Sequence, residues 1–171
     1  VQEVEETAHL CVLENLHMVY IDKLEPERTI RMISRIGSSS PIHCTAVGKA
    51  ILAEMPVEDA KELIKRLRFV SFTKKTITTR AALMEEILRT KHRGYAMDNE
   101  EREEGVRCVA VAIQDASSKP IAAISISGPK FRVSGPKLTL FIKKLMECVQ
   151  GIEKEMGFST TSKHRLRRNS V

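Results

Sequence analysis

Ser125 and Ser127 stand two residues apart in a stretch of alternating small and branched residues. In a strand that spacing turns both hydroxyls, with Ala123, to one face and sends Ile124 and Ile126 to the other. Cys108 and Ala110 share a face of the neighbouring strand by the same rule. Together they make a patch of small side chains carrying hydroxyl donors. It either receives a small anionic ligand or lets a helix pack closely against the sheet, and the residues alone leave both open. Asp98, with Asn99, ends a strand where a carboxyl group would orient a ligand hydroxyl or simply close a turn. The segment Pro41–Ala50 runs from a loop into a helix. The first backbone N–H groups of a helix have no intrahelical acceptor, so they suit a carboxylate. Gly48 inside that helix costs about 1 kcal/mol relative to Ala, which implies close packing or close ligand approach.

The same residue types also suit other chemistry. His43 and Cys108 would make a nucleophile–base pair, although no third group is placed to orient the imidazole. His43, Cys44, Cys108 and Asp98 would make a metal or thiol-sensing cluster, but their spacing carries no zinc signature. Neither a glycine-rich phosphate loop nor a serine elbow is present. No catalytic residue, metal or cofactor is therefore expected.

The elements that must position these residues follow from periodicity. His9–Glu14 and His17–Asp22 read as strands joined at Asn15, and Ile30–Ile36 reads as a third. Gly37–Pro41 is a loop by composition. Helices are predicted over Val47–Met55, from Val57 to Leu67, and after an N-cap at Thr79, the last ending at Gly94. Tyr95–Met97, Val106–Gln114 and Ile121–Ser127 are further strands. Ser134 is read as the cap of a long helix whose apolar positions run from Leu138 to Met156, with Gly157 at its C′ position. Strands, helices, strands and a helix in that order predict an α+β fold: a mixed, mostly antiparallel sheet of the GAF or PAS kind with helices packed on it.

The chain has 171 residues and a net charge of +6. That length suits one domain able to bury roughly 70% of its unfolded surface, so no disulfide is needed to fold. Cys11, Cys44, Cys108 and Cys148 are scattered, which reads as reduced thiols in a cytoplasmic protein. The absence of Trp argues against a stacking platform for single strands. The longest apolar run, Cys108–Ile113, is far too short for a membrane span. Val1 opens a charged stretch with no apolar signal region, and with no initiator Met the chain is read as part of something longer. Val1–Ala8 is expected to be the end of a helix begun upstream. The basic run Lys163–Arg168 is expected to be a solvated, disordered tail in 158–171.

Three stretches resemble one family in order and spacing. They are Gly37–Ala53, with Pro41, His43 and Gly48-Lys49-Ala50; Arg93–Glu101, followed by Glu104–Ala110; and Ala122–Pro129. They are similar to the effector-binding domain of IclR-type transcription regulators, over about Val1–Gly157. The resemblance implies a domain boundary near residue 9, with 1–8 closing a linker helix and 9–157 binding the effector. It implies homodimers or homotetramers, and DNA contact only through an N-terminal winged helix-turn-helix domain that this chain lacks. It also implies a pocket. Met32 falls on an apolar wall, Ala46 and Val47 offer N–H groups to a carboxylate, and Asp98, Cys108, Ser125 and Ser127 are polar contacts. Glyoxylate and pyruvate sensors of the family carry Gly-Ala where this chain has Ala46-Val47, so their ligand does not transfer. Tyr20–Lys23, Arg31–Gly37 and Asp98–Glu101 look like regulators that sense 2-keto-3-deoxygluconate.

Overall fold

The computed structural model describes residues 1–157. The basic tail expected in 158–171 lies outside the described residues. Six strands form one antiparallel sheet in the order β3-β2-β1-β6-β5-β4. They are β1 (Thr7–Glu14), β2 (His17–Leu24), β3 (Ser39–Pro41), β4 (Ala96–Asn99), β5 (Val106–Gln114) and β6 (Pro120–Pro129). Four helices complete the α+β fold: α1 (Ala46–Glu54), α2 (Val57–Lys65), α3 (Arg80–Arg93) and α4 (Gly135–Glu155). All the strand pairings are antiparallel, so the mixed character expected of the sheet is absent among the described residues.

Local chemistry explains the punctuation. Asn15 and Leu16 both take left-handed backbone (φ 47° and 71°), which makes a two-residue turn that matches strand twist. Thr79 caps α3 by accepting from the Ala82 N–H at 3.2 Å, and Gly94 ends it with φ 82°. Ser134 occupies the N-cap position of α4 but does not act as read. Its hydroxyl donates to the Phe131 carbonyl at 3.0 Å and accepts from no helix N–H. Gly157 follows α4 at φ 80°, as a C′ residue should.

The sheet separates two apolar layers. Small residues (Ala110, Ala112 and Ala123) face α1, whose Ala50, Ile51 and Ala53 are buried against them. Val109, Val111 and Ile126 on the opposite face meet Phe141, Leu145 and Val149 of α4. The alternation of β5 and β6 thus serves a helix on each side.

Two expected elements differ. Ile30–Ile36 forms no strand; the third strand is Ser39–Pro41, inside the segment read as a loop. Ile30, Ile33 and Ile36 recur every third residue and are 63, 89 and 62% exposed, so they do not alternate across a sheet. The Lys23 ammonium takes the carbonyls of Met32 (2.8 Å) and Ser34 (2.7 Å), which fixes residues 30–36 as an irregular strap over the sheet. At the N-terminus, Val1–Glu5 makes a single turn, with the Glu5 N–H on the Val1 carbonyl at 2.8 Å. Glu5 then takes φ 52°, and β1 begins at Thr7 within the stretch read as a helix end.

Candidate functional site

Register builds the site. Asp98 pairs with Cys108, Cys108 with Ser127, and Ser127 with Thr7, so one row crosses four strands. The next row on the same face runs Ala96, Ala110, Ser125 and His9. The two serines share one face, as their spacing predicts, and the register brings Asp98 and Cys108 onto it. Beyond the Ala110–Ala112–Ala123 patch covered by α1, this face opens into a cavity of about 680 Å³. Met32, Ala46, Val47, Asp98, Cys108, Ser125 and Ser127 all line it. The small-residue face packs closely against α1 at one end and borders the cavity at the other.

The entry to α1 closes one end of the cavity. Thr45 donates its hydroxyl to the Pro41 carbonyl (3.1 Å) and accepts from the Gly48 N–H (3.2 Å). That cap leaves the first-turn N–H groups of Ala46 and Val47 with no acceptor inside the helix. Gly48 itself serves packing. A Cβ there would lie 2.2 Å from the carbonyl oxygen of Ile42, in the single 3-10 turn Ile42–Cys44.

Several lining groups were not singled out from sequence. His9 is buried, with Nε2 2.6 Å from the Ser34 hydroxyl and Nδ1 3.4 Å from that of Ser127. It meets the Tyr20 ring edge-on at 5.0 Å, and the Tyr20 and Ser40 hydroxyls are 3.5 Å apart. Burial, and then the Lys23 ammonium, push His9 down to about 4, so it is neutral at pH 7. A buried polar residue at an inward strand position was the available signal: Thr7, His9 and Cys11 occupy alternate positions in β1.

Asp98 is buried, and desolvation pushes its carboxyl up to about 7 despite the N–H bonds from Glu101 (2.7 Å) and Arg102 (3.4 Å). Near neutrality it is poised between a carboxylate acceptor and an acid that can donate to a ligand oxygen. Asp98 and His9 have opposite effects on stability. From pH ~4 to ~7 the folded chain keeps the Asp98 proton that the unfolded chain has lost, so stability falls as pH rises. From pH ~4 to ~6.5 the unfolded chain holds a proton that folded His9 lacks, so stability rises with pH. His43, also pushed down by burial, adds to the His9 trend. The wild type should therefore show a shallow profile. In Asp98→Asn, stability should climb across that window by up to ~1.4 kcal/mol per pH unit from His9. Urea unfolding at several pH values checks this, and equal slopes in the two proteins would overturn it.

The rival pair does not assemble. His43 donates through Nε2–H to the Val70 carbonyl (3.1 Å) and packs against the rings of Phe69 and Phe72; it is not among the cavity-lining residues. Burial pushes the Cys11 and Cys44 thiols up to about 12, and that of Cys108 higher still, the reverse of an activated thiolate. Among the described residues no three His, Cys, Asp or Glu side chains group as a metal site, and no helix is long and apolar enough to cross a membrane.

One antiparallel sheet of six strands thus carries a cavity at the start of α1. Residues 1–154 match the family described as bacterial transcriptional regulator IclR C-terminal, and the chain belongs to that family. It is 36% identical over 153 residues to the HTH-type transcriptional regulator XynR of Escherichia coli (strain K12), covering 90% of this chain and 61% of XynR. It is 37% identical over 153 residues to the HTH-type transcriptional regulator KdgR of the same organism, covering 90% of this chain and 58% of KdgR. The crystal structure of the Thermotoga maritima IclR superposes with a TM-score of 0.88 at 38% identity, over 92% of this chain and 64% of that one. The chain thus spans about three-fifths of the length of the regulators it matches.

Proposed function

We propose that this domain is an effector sensor: its cavity binds a small sugar-derived 2-oxo acid, and occupancy alters operator binding by a winged helix-turn-helix domain. The observation that carries the reading is one cavity lined by Ala46 and Val47, whose first-turn N–H groups have no acceptor inside α1, together with Asp98, Ser125 and Ser127. The carboxylate docks on those N–H groups, where the helix dipole favours negative charge. Ser125, Ser127 and Asp98 meet the other oxygens, Cys108 and Met32 form wall, and His9 and Tyr20 add partners for a hydroxylated tail. That surplus of hydroxyl partners favours a sugar acid over a bare two- or three-carbon acid. So does the likeness of Tyr20–Lys23 and Arg31–Gly37 to regulators that sense 2-keto-3-deoxygluconate. The bulk of Val47 shapes the carboxylate end differently from a Gly-Ala pair.

The effector domain, read from sequence as 9–157, also takes in Thr7 and Ala8 of β1 and is entered through the turn before them. It works in the cytoplasm as a homodimer or homotetramer, and DNA is contacted outside this domain. A ligand shifts such a regulator only through its different affinity for two states, and a near-complete switch needs about 5.5 kcal/mol of difference. A thermal-shift screen with glyoxylate, pyruvate, gluconate and 2-keto-3-deoxygluconate tests the reading. A binder at 100 times its dissociation constant adds about 2.7 kcal/mol, which raises Tm by roughly 5–10 °C in a domain of this size. The rise should come from the sugar-derived acid and vanish in Ser125→Ala/Ser127→Ala. No rise from any acid would sink the proposal.

A further inference from the structure

One side chain, Arg132, bridges the strap over the cavity to the start of the chain. Arg132 lies between β6 and α4. Its Nε is paired with Glu6 Oε1, and its Nη2 donates both to Glu6 Oε2 (3.0 Å) and to the carbonyl of Ile30 (2.8 Å). Nη2 carries two hydrogens, so each goes to a different segment. Glu6 is buried, 2% exposed, and its carboxylate fits because residue 128 has no side chain: a Cβ on Gly128 would lie 2.4 Å from Glu6 Oε2. Ile30, Met32 and Ser34 of the strap line the cavity. A second tie, Arg28 to Glu5, joins the same two segments through more exposed groups, where an ion pair contributes little.

We propose that Arg132 is the joint through which the state of the pocket strap is passed to the N-terminal segment, with Glu6 as the buried anchor. The proposal rests on the effector reading for its purpose, but the joint exists without ligand. A ligand that draws Met32 and Ser34 inward pulls on the Ile30 carbonyl, and the planar guanidinium transmits that pull to Glu6, one residue before β1. Arg suits the task because its fork has fixed geometry; a lysine ammonium is a compact point charge that serves one partner at a time. Arg132 is a positioning residue, since it is not among the cavity-lining residues.

Trypsin tests the joint on the free chain, because Arg31 and Arg35 lie in the strap and are exposed, while Arg89 and Lys91 on α3 report global opening. Glu6→Gln touches only the N-terminal side of the joint. It should nevertheless speed cleavage after Arg31 and Arg35 by about tenfold, a typical factor for loosening one charge-assisted tie, with α3 cleavage unchanged. Arg132→Lys should free the strap similarly while keeping the Glu6 ion pair, which covers the case in which Glu6→Gln folds poorly. Strap cleavage unchanged in Arg132→Lys, or strap and α3 cleavage rising together in both variants, would overturn the proposal. Failure of the acid screen with strap cleavage still linked to Glu6 would sink the effector reading and leave the joint standing.

Discussion

Gly48→Ala should lower Tm by roughly 5–10 °C, although Ala is the better helix former. Propensity alone predicts a gain of about 1 kcal/mol for Gly to Ala inside a helix. The added methyl, however, would lie 2.2 Å from the Ile42 carbonyl oxygen and 2.7 Å from two more Ile42 backbone atoms. Those are backbone atoms of a fully buried residue, so no flexible chain end can swing aside. Either α1 or the 3-10 turn must move, and overpacking of that kind costs about 3 kcal/mol or more. The clash wins. The same displacement pulls the Gly48 N–H from the Thr45 hydroxyl and disturbs the first turn of α1, so effector affinity should fall with Tm. Calorimetry with and without ligand checks both, and a Tm equal to or above that of the wild type would refute the packing argument.

Lys49→Met should cost about 3–5 kcal/mol, the usual penalty for removing one partner of a buried ion pair. Lys49 has no exposed surface, and its ammonium is paired with Glu101, 52 positions along the chain. The pair joins α1 to the turn after β4, where Thr76 donates to the Glu101 carbonyl at 2.6 Å and the Glu101 N–H reaches Asp98 at 2.7 Å. The other Glu101 oxygen, Oε2, is buried with no protein partner, so a glutamate deprived of Lys49 would be a buried charge left with only a long contact from the Asn99 N–H (3.5 Å). Replacing both groups, as in Lys49→Met/Glu101→Leu, removes that charge and should recover at least half of the loss. Urea unfolding of the two single variants and the double variant measures the coupling. Strictly additive losses would show that the pair contributes no interaction of its own.

Much of this was legible residue by residue. Alternation alone put Ser125 and Ser127 on one face, and helical spacing with Thr79 and Gly94 delimited α3. The sharing of a row by Asp98, Cys108 and Ser127 was not legible, because register between distant strands depends on tertiary pairing. Ile30–Ile36 was misread because β-branched content imitates a strand. What fixes that segment is Lys23 on its carbonyls and Arg132 on Ile30, contacts that no local pattern encodes. The roles of His9 and Lys49 are illegible in the sequence for a related reason. A histidine in β1 and a lysine inside an apolar helix look ordinary until the fold brings Ser34, Ser127 and Glu101 to them. The resemblance to the family implied Met32, Ala46 and Val47 as pocket residues, where the residues alone gave the face of Ser125, Ser127 and Cys108, Asp98 at a strand end, and a helix entry.

The most direct test of carboxylate docking on α1 is an amide ¹H–¹⁵N titration of this chain with 2-keto-3-deoxygluconate, using pyruvate as a second probe. Binding as proposed moves the Ala46 and Val47 amide protons downfield, as expected for N–H groups that gain an anionic acceptor, with smaller changes at Ser125 and Ser127. Saturable shifts confined to residues outside the cavity, or no shift at Ala46 and Val47 while other cavity residues respond, would contradict docking at the helix entry.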